Sequence, residues 1–558
     1  MRGLHPGGRH RSGLARLGTV DGAVHLTWGQ YAEEVRRIAA GLAARGGRRG
    51  DTVALMLTNR PEFHLVDVAA LHLGATPFSI YNSSSAEQIR YLLGDAGPRA
   101  VVTEAAFAAR LAGAGADGPV LVDAPAEDPA SLEALERDGD PGFDLAAAGA
   151  AAEPGDVATL IYTSGTTGPP KGVEVTHANV LAAIGGLPVA RVVRPGDRVL
   201  SYLPAAHIAE RNVCLYAQFL YRTEVVSVPD PRQVAAALAA VHPQLFFAVP
   251  SVWQKLRAAA EAWLAAQPGW AEDGLTAGLA AAVRTRLGLD RLRWVACGAA
   301  PVPPTTLEFF AGLGVPVLEL WGMSETCGAG VSNTAEECRV GTVGRPQPGL
   351  EVSLAPDAEL LARGPAVMRR YRNDPVRTAE AIDAEGWLHT GDLATIDADG
   401  FVTIIDRKKE IFINDAGKNM SPANIESAVR SADALLGSVV AIGDARPYVT
   451  ALIVLEPAAA AAYATAAGSA DTSAAALAAD PALRAAVARA VAVANDRLSR
   501  VEQIKRFRIL PAVWLPGGDE LTPTMKLRRK PIAARYAQEI EELYATEPGP
   551  DVLEPASG

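Results

Sequence analysis

The sequence predicts an α/β protein built of several packed subdomains, and three observations carry that reading. Short apolar, β-branched runs recur along the chain, among them "RAVVTE", "GPVLVD", "RVLSYLP", "TEVVSV", "LFFAVP" and "RLRWVACG", each bounded by turn residues. Helix-periodic stretches stand between them, the alternation that gives largely parallel sheets covered by helices. The chain has 558 residues. That is too many for one core, and length alone suggests about three or four domains or subdomains.

Each element follows from local pattern. "LTWGQYAEEVRRIAAGLAARG" is helix-periodic and stops at glycine, "DTVALMLTN" reads as a buried strand, and "RPEFHLVDVAALHLGATPFSIY" as helix then strand. "ATLIYTS" is an apolar strand and "HANVLAAIGGL" opens a helix, so the glycine-rich residues between them are expected on a strand-to-helix loop. The character changes near "GFVTIIDRKKEIFIN": a charged joint is followed by a compact strand–helix pattern and then an alanine-rich tract. Alanine has the best helix propensity, so that tract reads as helices around one polar loop, Gly468 to Ser473. A domain boundary is placed at this joint, giving residues 1–406 and 407–558. No internal repeat is evident.

Composition narrows the classes. With 49% apolar and 21% charged residues, the chain reads as a soluble globular protein. The formal charge of −11 argues against nucleic acid as a partner and requires that any anionic ligand be met by locally gathered lysine and arginine. Cys214, Cys297, Cys327 and Cys338 form no CxxC pair or metal-ligand spacing, so they read as reduced thiols of a cytoplasmic protein. No apolar run approaches the ~18 residues that span a bilayer. The basic start, "MRGLHPGGRHRSGLARLG", lacks the apolar stretch of a secretory signal. Its arginines leave room for weak peripheral membrane contact, but glycine and proline spoil an amphipathic helix, and a disordered leader is expected.

Chemistry first shows in "TLIYTSGTTGPPKGVEVTH", Thr159 to His177. A Walker loop places glycine directly before its lysine and a hydroxyl directly after it. Here Lys171 follows Pro170 and precedes Gly172, so both flanks are wrong. The segment still suits an anion. Backbone N–H groups around Gly165 and Gly168 can form a nest, with Thr163, Ser164, Thr166 and Thr167 adding donors and Lys171 adding charge.

"TSGTTGPPKG" resembles the signature loop of the adenylate-forming superfamily, which includes acyl-CoA synthetases, luciferases and peptide-synthetase adenylation domains. Further segments match in order: "VACGAAPV" (Gly298, Ala299, Ala300) and "ELWGMSETCG" (Trp321, Gly322, Met323, Ser324, Glu325) for adenine and the α-phosphate, and "GWLHTGDLA" for ribose. "DRKKEIFINDAGKNMSPANIE" resembles the inter-domain hinge, and "TPTMKLRRKPI" the segment with a late catalytic lysine. Together they cover the chain from about His25 to its end. "LPAAHIAERN", "PFSIYNSSSAEQIRYLL" and "KPIAARYAQEIEELYA" are similar to long-chain fatty acyl-CoA synthetases in particular.

The resemblance implies a large N-terminal domain of stacked α/β subdomains and a small mobile α+β C-terminal domain, with the active site between them. It implies ATP, Mg2+ and coenzyme A as reactants, with the opening loop holding the β- and γ-phosphates. Glu325 resembles the magnesium ligand, since the hard ion prefers carboxylate and phosphate oxygen. Asp392 and Arg407 resemble the ribose-binding pair, and Lys526 the cation bridging the substrate carboxylate and the α-phosphate. His207 resembles the histidine that orients the carboxylate or α-phosphate beside the acyl tunnel. Lys409 takes the hinge position. Phe247 and Trp253, in "LFFAVPSVWQKL", suit an acyl pocket as well as they suit an ordinary core. Ser324 stands where threonine is usual, Trp321 where tyrosine is common, and Asp415 where glycine is common. The implied activity is fatty acid activation to acyl-CoA. Alternatives are transfer of the acyl-adenylate to a separate carrier protein, an aryl or other acid as substrate, and an inactive lipid-binding regulator. Intact Glu325, Asp392 and Lys526 argue against the last.

Overall fold

The computed structural model describes residues 15–163, 169–268, 270, 274–328, 330–413, 419–469, 471–522 and 525–556. Ser164, Gly165, Thr166, Thr167 and Gly168 of the expected phosphate loop lie outside the described residues, as do Asp415 and most of the basic N-terminus.

The fold is mixed α/β, as the alternating pattern requires. A seven-stranded sheet runs Arg370–Tyr371, Lys171–Thr176, Val157–Thr163, Thr76–Ser79, Thr52–Met56, Ala100–Thr103, Val120–Leu121, parallel from Val157–Thr163 onward. A nine-stranded sheet has parallel Leu318–Gly322, Trp294–Cys297, Leu245–Ala248, Arg198–Ser201 and Glu224–Ser227 at its centre. Leu245–Ala248 and Trp294–Cys297 are buried on both faces, which is why they read as unbroken apolar runs. The helices between them start where the sequence supplies caps: Thr27, Ser85 and Thr176 each form a capping box with the residue three positions on.

One expectation is corrected. The strand ending at Thr163 is followed by a second strand, Lys171–Thr176, antiparallel to the first with Thr163 opposite Lys171, and the helix begins only at His177. The alternating "VEVT" prefers extended backbone, and Thr176 then caps the helix. The glycine-rich segment therefore joins two strands, and Lys171 is fixed by a ladder rather than by a helix terminus.

An antiparallel four-stranded sheet, Glu351–Leu354, Glu359–Arg363, Leu388–Ile396 and Val402–Arg407, closes the larger part of the chain. Beyond it come Leu436–Ile442, Val449–Leu455 and Ile504–Ile509 in a three-stranded sheet with a core of its own. The alanine-rich tract forms helices Pro457–Ala466, Ala474–Ala479 and Pro481–Asn495, with Ser473 capping the second. The last part meets the first across a cleft: Lys255 pairs with Glu456 at 3.3 Å, and Gly517 lies against the Ser83 side chain.

Candidate active site

The parallel strands Trp294–Cys297 and Leu318–Gly322 end side by side, and the loops leaving them, Gly298–Ala300 and Met323–Glu325, open at the carboxyl edge of the sheet. Ligands of open α/β sheets bind in that crevice. Gly298 is forced by close approach: a Cβ there would fall 2.9 Å from the Leu320 side chain. Ala299 next to it takes a left-handed φ of 70°, a conformation that L-residues seldom hold without local support.

Asp392 forms the first centre. It lies on Leu388–Ile396 directly opposite Arg407 on the neighbouring strand. Arg407 Nε meets its Oδ1 at 2.7 Å, and the Trp321 indole N–H donates to its Oδ2 at 2.7 Å. The carboxyl is buried, and burial lifts its pKa while Arg407 and the indole hold it down. Trp321, expected as an adenine platform, fixes the Asp392 carboxylate, and its ring lies over Gly330, where a Cβ would come within 2.8 Å.

Glu325 forms the second. It stands on a single 3-10 turn, Ser324–Thr326, where Thr326 Oγ1 accepts the Met323 N–H. Its Oε1 accepts the Tyr371 hydroxyl at 2.7 Å and lies 4.0 Å from the Lys171 ammonium, which itself donates to the Tyr371 oxygen at 2.8 Å. Burial pulls the Lys171 pKa down, with Glu325 opposing. Burial and Glu325 together push the Tyr371 phenol up, so it stays a donor. Among the described residues Glu325 Oε2 has no protein partner, and no group of three or more acidic, histidine or cysteine side chains is placed to cage a metal. One carboxylate with a free oxygen suits Mg2+ held jointly with substrate phosphates.

His207 is the N-cap of the short helix Ile208–Glu210, and its Nδ1 accepts the Ala209 N–H at 3.1 Å. The proton therefore sits on Nε2. Burial, helped by the Lys526 charge, pulls its pKa to about 4, so the ring is a neutral donor at physiological pH. Lys526 arrives from the far end of the chain on a tight turn, in which Thr522 N–H donates to its carbonyl and Met525 takes a φ of 65°. Its side chain is solvent-accessible along the cleft, yet its ammonium sits in dense protein surroundings. Burial and Arg407 lower its pKa, while Asp392, Glu410 and Glu325 raise it. Among the described residues no carboxylate comes within ion-pair distance of that ammonium, which leaves a cation free for a ligand.

The acyl-pocket pair separates. Phe247 belongs to the core cluster that includes Ala205 and Ile208, beside His207. Trp253 is fully buried in a second cluster, edge-on to Phe246 at 5.4 Å and Phe310 at 4.9 Å. Lys409 lies exposed on the turn after Val402–Arg407. Tyr371 was missed by the sequence reading: "RRYRND" carries no motif, and only the fold brings it to Glu325.

Comparison with known proteins identifies the family. A family model described as AMP-binding enzyme matches residues 11–372, and one described as AMP-binding enzyme C-terminal domain matches residues 409–548. The chain is 49% identical over 74% of its length, and 78% of the relative's, to "Putative fatty-acid--CoA ligase fadD11" of Mycobacterium tuberculosis. It is 35% identical over 95% of its length, and 94% of the relative's, to the long-chain-fatty-acid–CoA ligase FadD15 of Mycobacterium bovis. Among solved structures, an O-succinylbenzoate coenzyme A synthetase from Bacillus subtilis in complex with ATP and magnesium ion is similar with a TM-score of 0.70 at 23% identity. That match covers 93% of this chain and 96% of the other. At that identity the likeness speaks for the fold alone. With two family models spanning most of its length and a relative half identical to it, the chain belongs to the AMP-binding enzyme family.

Proposed function

We propose that this protein is an ATP-dependent, AMP-forming fatty acid–CoA ligase of the long-chain type, acting in the cytoplasm. The observation that carries the reading is the Lys526 ammonium, without an ion-pair partner among the described residues, which the C-terminal part brings within electrostatic reach of Asp392, Glu325 and His207 of the larger part. The relatives named as fatty-acid–CoA ligases supply the substrate class. In this reading residues 1–406 bind ATP and the acid, and residues 407–558 carry the lysine.

In the first half-reaction a carboxylate oxygen attacks the α-phosphorus in line, an O–P bond forms, and the bond to pyrophosphate breaks. Asp392 and Arg407 hold the ribose, and Lys171, with the loop through Ser164 to Gly168, holds the leaving phosphates. Glu325 would hold Mg2+, which would supply positive charge to neutralise the phosphates. His207 donates its Nε2 proton as a hydrogen bond to a carboxylate or phosphate oxygen, and Phe247 borders the chain. Lys526 stabilises the charge that develops at the α-phosphorus. In the second half-reaction the coenzyme A thiol gives its proton to solvent and its sulfur attacks the acyl carbon, the bond from that carbon to the phosphate oxygen breaks, and AMP leaves with the electron pair.

The test is pyrophosphate release over a panel of acids, with and without coenzyme A. Each buried methylene contributes about 0.8 kcal/mol, so long and medium-long straight acids should lead acetate, amino acids and benzoates. An aryl acid with the highest kcat/KM overturns the fatty acid assignment. Acyl-AMP without thioester when coenzyme A is present overturns the acceptor. Lys526→Ala should cut pyrophosphate release about a hundredfold, the scale of one lost transition-state donor, while synthetic acyl-AMP is still converted to thioester. Near-normal release would remove Lys526 from adenylation.

A further inference from the structure

Most of the residues that follow His207 are buried, and one of them reaches the turn that carries Glu325. Asn212 is 2% exposed, and its Nδ2 donates to the Cys327 carbonyl at 2.6 Å. Cys327 closes the Ser324–Thr326 turn and does so in the left-handed region, with φ 54° and ψ 34°. That conformation favours glycine and is strained for a residue with a Cβ unless its surroundings hold it. Its own N–H is already committed to the Ser324 carbonyl at 3.0 Å, so Asn212 is the clasp on the other side of the residue. The fit is close: a Cβ on Gly328 would fall 3.0 Å from Asn212 Nδ2 and 3.0 Å from the Ile208 side chain. The opposite flank of the turn is fixed too, by Met368 N–H donating to the Glu325 carbonyl at 2.7 Å and by Tyr371 on the carboxylate.

We infer that Asn212 is a positioning residue for Glu325: its bond to Cys327 holds a strained turn and thereby sets the magnesium carboxylate relative to His207. The clasp runs from the π-helical segment Arg211–Tyr216, which continues the short helix that His207 caps, to the turn that Glu325 occupies, so the groups for the acid and for the metal share one mounting. This inference rests on the ligase reading above, and its test separates the two. Wild-type enzyme that releases no pyrophosphate with any acid would overturn the reading itself.

With active wild type, Asn212→Ala and Asn212→Asp should each raise the Mg2+ concentration for half-maximal pyrophosphate release about tenfold, the effect of losing one well-aligned hydrogen bond. The KM for the acid should move less than about twofold. Thioester formation from synthetic acyl-AMP, which carries no triphosphate to neutralise, should be retained. Cys327→Gly should restore most of the magnesium dependence in the Asn212→Ala background, because glycine holds a left-handed φ without help. A purely structural asparagine would lower both half-reactions together and gain nothing from glycine at position 327. A Mg2+ titration unmoved in both variants, or no recovery in the double variant, overturns the assignment. Should Asn212→Ala not fold, Asn212→Ser takes its place in the same comparison, with thermal unfolding as the check.

Discussion

Glu210 is 1% exposed, and its carboxyl accepts the Leu203 N–H at 3.1 Å and the Asn59 amide at 3.3 Å. Burial pushes its pKa up to about 7, with Ser201 and Cys214 opposing. The folded value is raised above the unfolded one, so the stabilisation is fully present below the unfolded carboxylate pKa and is lost as pH rises through about 7. Glu210→Gln is neutral throughout. Its stability relative to wild type should therefore improve between pH 5 and pH 8.5, by up to roughly 3 kcal/mol if the whole shift is expressed. Urea midpoints measured at the two pH values check this, and a constant difference would count against a titrating Glu210. At this scale the sequence was readable where chemistry repeats in a fixed pattern: Glu325, Asp392, Arg407 and Lys526 all came from motifs. It was silent where a role depends on burial. Nothing in "LPAAHIAERN" says that Glu210 is enclosed, that Trp321 would turn its N–H on Asp392, or that Tyr371 would arrive at Glu325 from 46 positions away.

The stretch after His207 raises the same point for an element. Helix Ile208–Glu210 widens into a π-helical segment, Arg211–Tyr216, before resuming at Ala217–Tyr221. Such widening often marks functional sites. Arg211 anchors it: fully buried, it pairs with Asp67 of helix Pro61–His72 at 2.8 Å and reaches Ser79 Oγ at 3.2 Å. A buried pair contributes little net stability against an apolar pair, but losing one partner leaves a charge in the core. Arg211→Met should therefore cost about 3–5 kcal/mol, and Arg211→Met with Asp67→Leu should recover more than half of that. Loss below about 1 kcal/mol for the single change would show Asp67 protonated and the pair dispensable. Elements with a strong period were legible, including the alanine-rich helices. The strand Lys171–Thr176 was not, because a glycine-rich loop can lead equally into a strand or a helix, and only the neighbouring ladder decides. "GPVLVD" yields just Val120–Leu121, since at the sheet edge a strand has one neighbour to pair with.

For the whole molecule the question is how one cleft serves two half-reactions when, in the proposed mechanism, Lys526 is needed in the first and stands in the way of the second. The joint after Asp406 is where the two parts connect, and the contacts around it are uneven. Lys408 is tied to the larger part: its N–H donates to the Gly391 carbonyl at 2.8 Å, and its ammonium meets Asp357 at 2.5 Å and Glu359 at 3.0 Å. Glu359 also accepts the Gly391 N–H, so the turn that leads into Asp392 and the joint share a carboxylate. Glu410 is tied the other way, to Arg529 at 3.4 Å, which is itself held by Glu426 at 2.7 Å. Lys409 between them is exposed, and among the described residues its N–H makes no hydrogen bond. A rotation concentrated in one residue is the economical hinge, and we propose Lys409 as that residue. Its φ is negative in the conformation that faces Lys526 toward Asp392. Proline, which locks φ near −65° and has no N–H to lose, keeps that negative sign and opposes rotation away from it. Lys409→Pro should form acyl-AMP within about threefold of wild type and form thioester at least about tenfold more slowly, as expected when one joint angle is frozen. The two half-reactions are measured separately, by pyrophosphate release in a single turnover and by thioester formation from synthetic acyl-AMP. If Lys409 were an ordinary surface lysine, proline would leave both alone or lower both in step, and either result would move the hinge elsewhere.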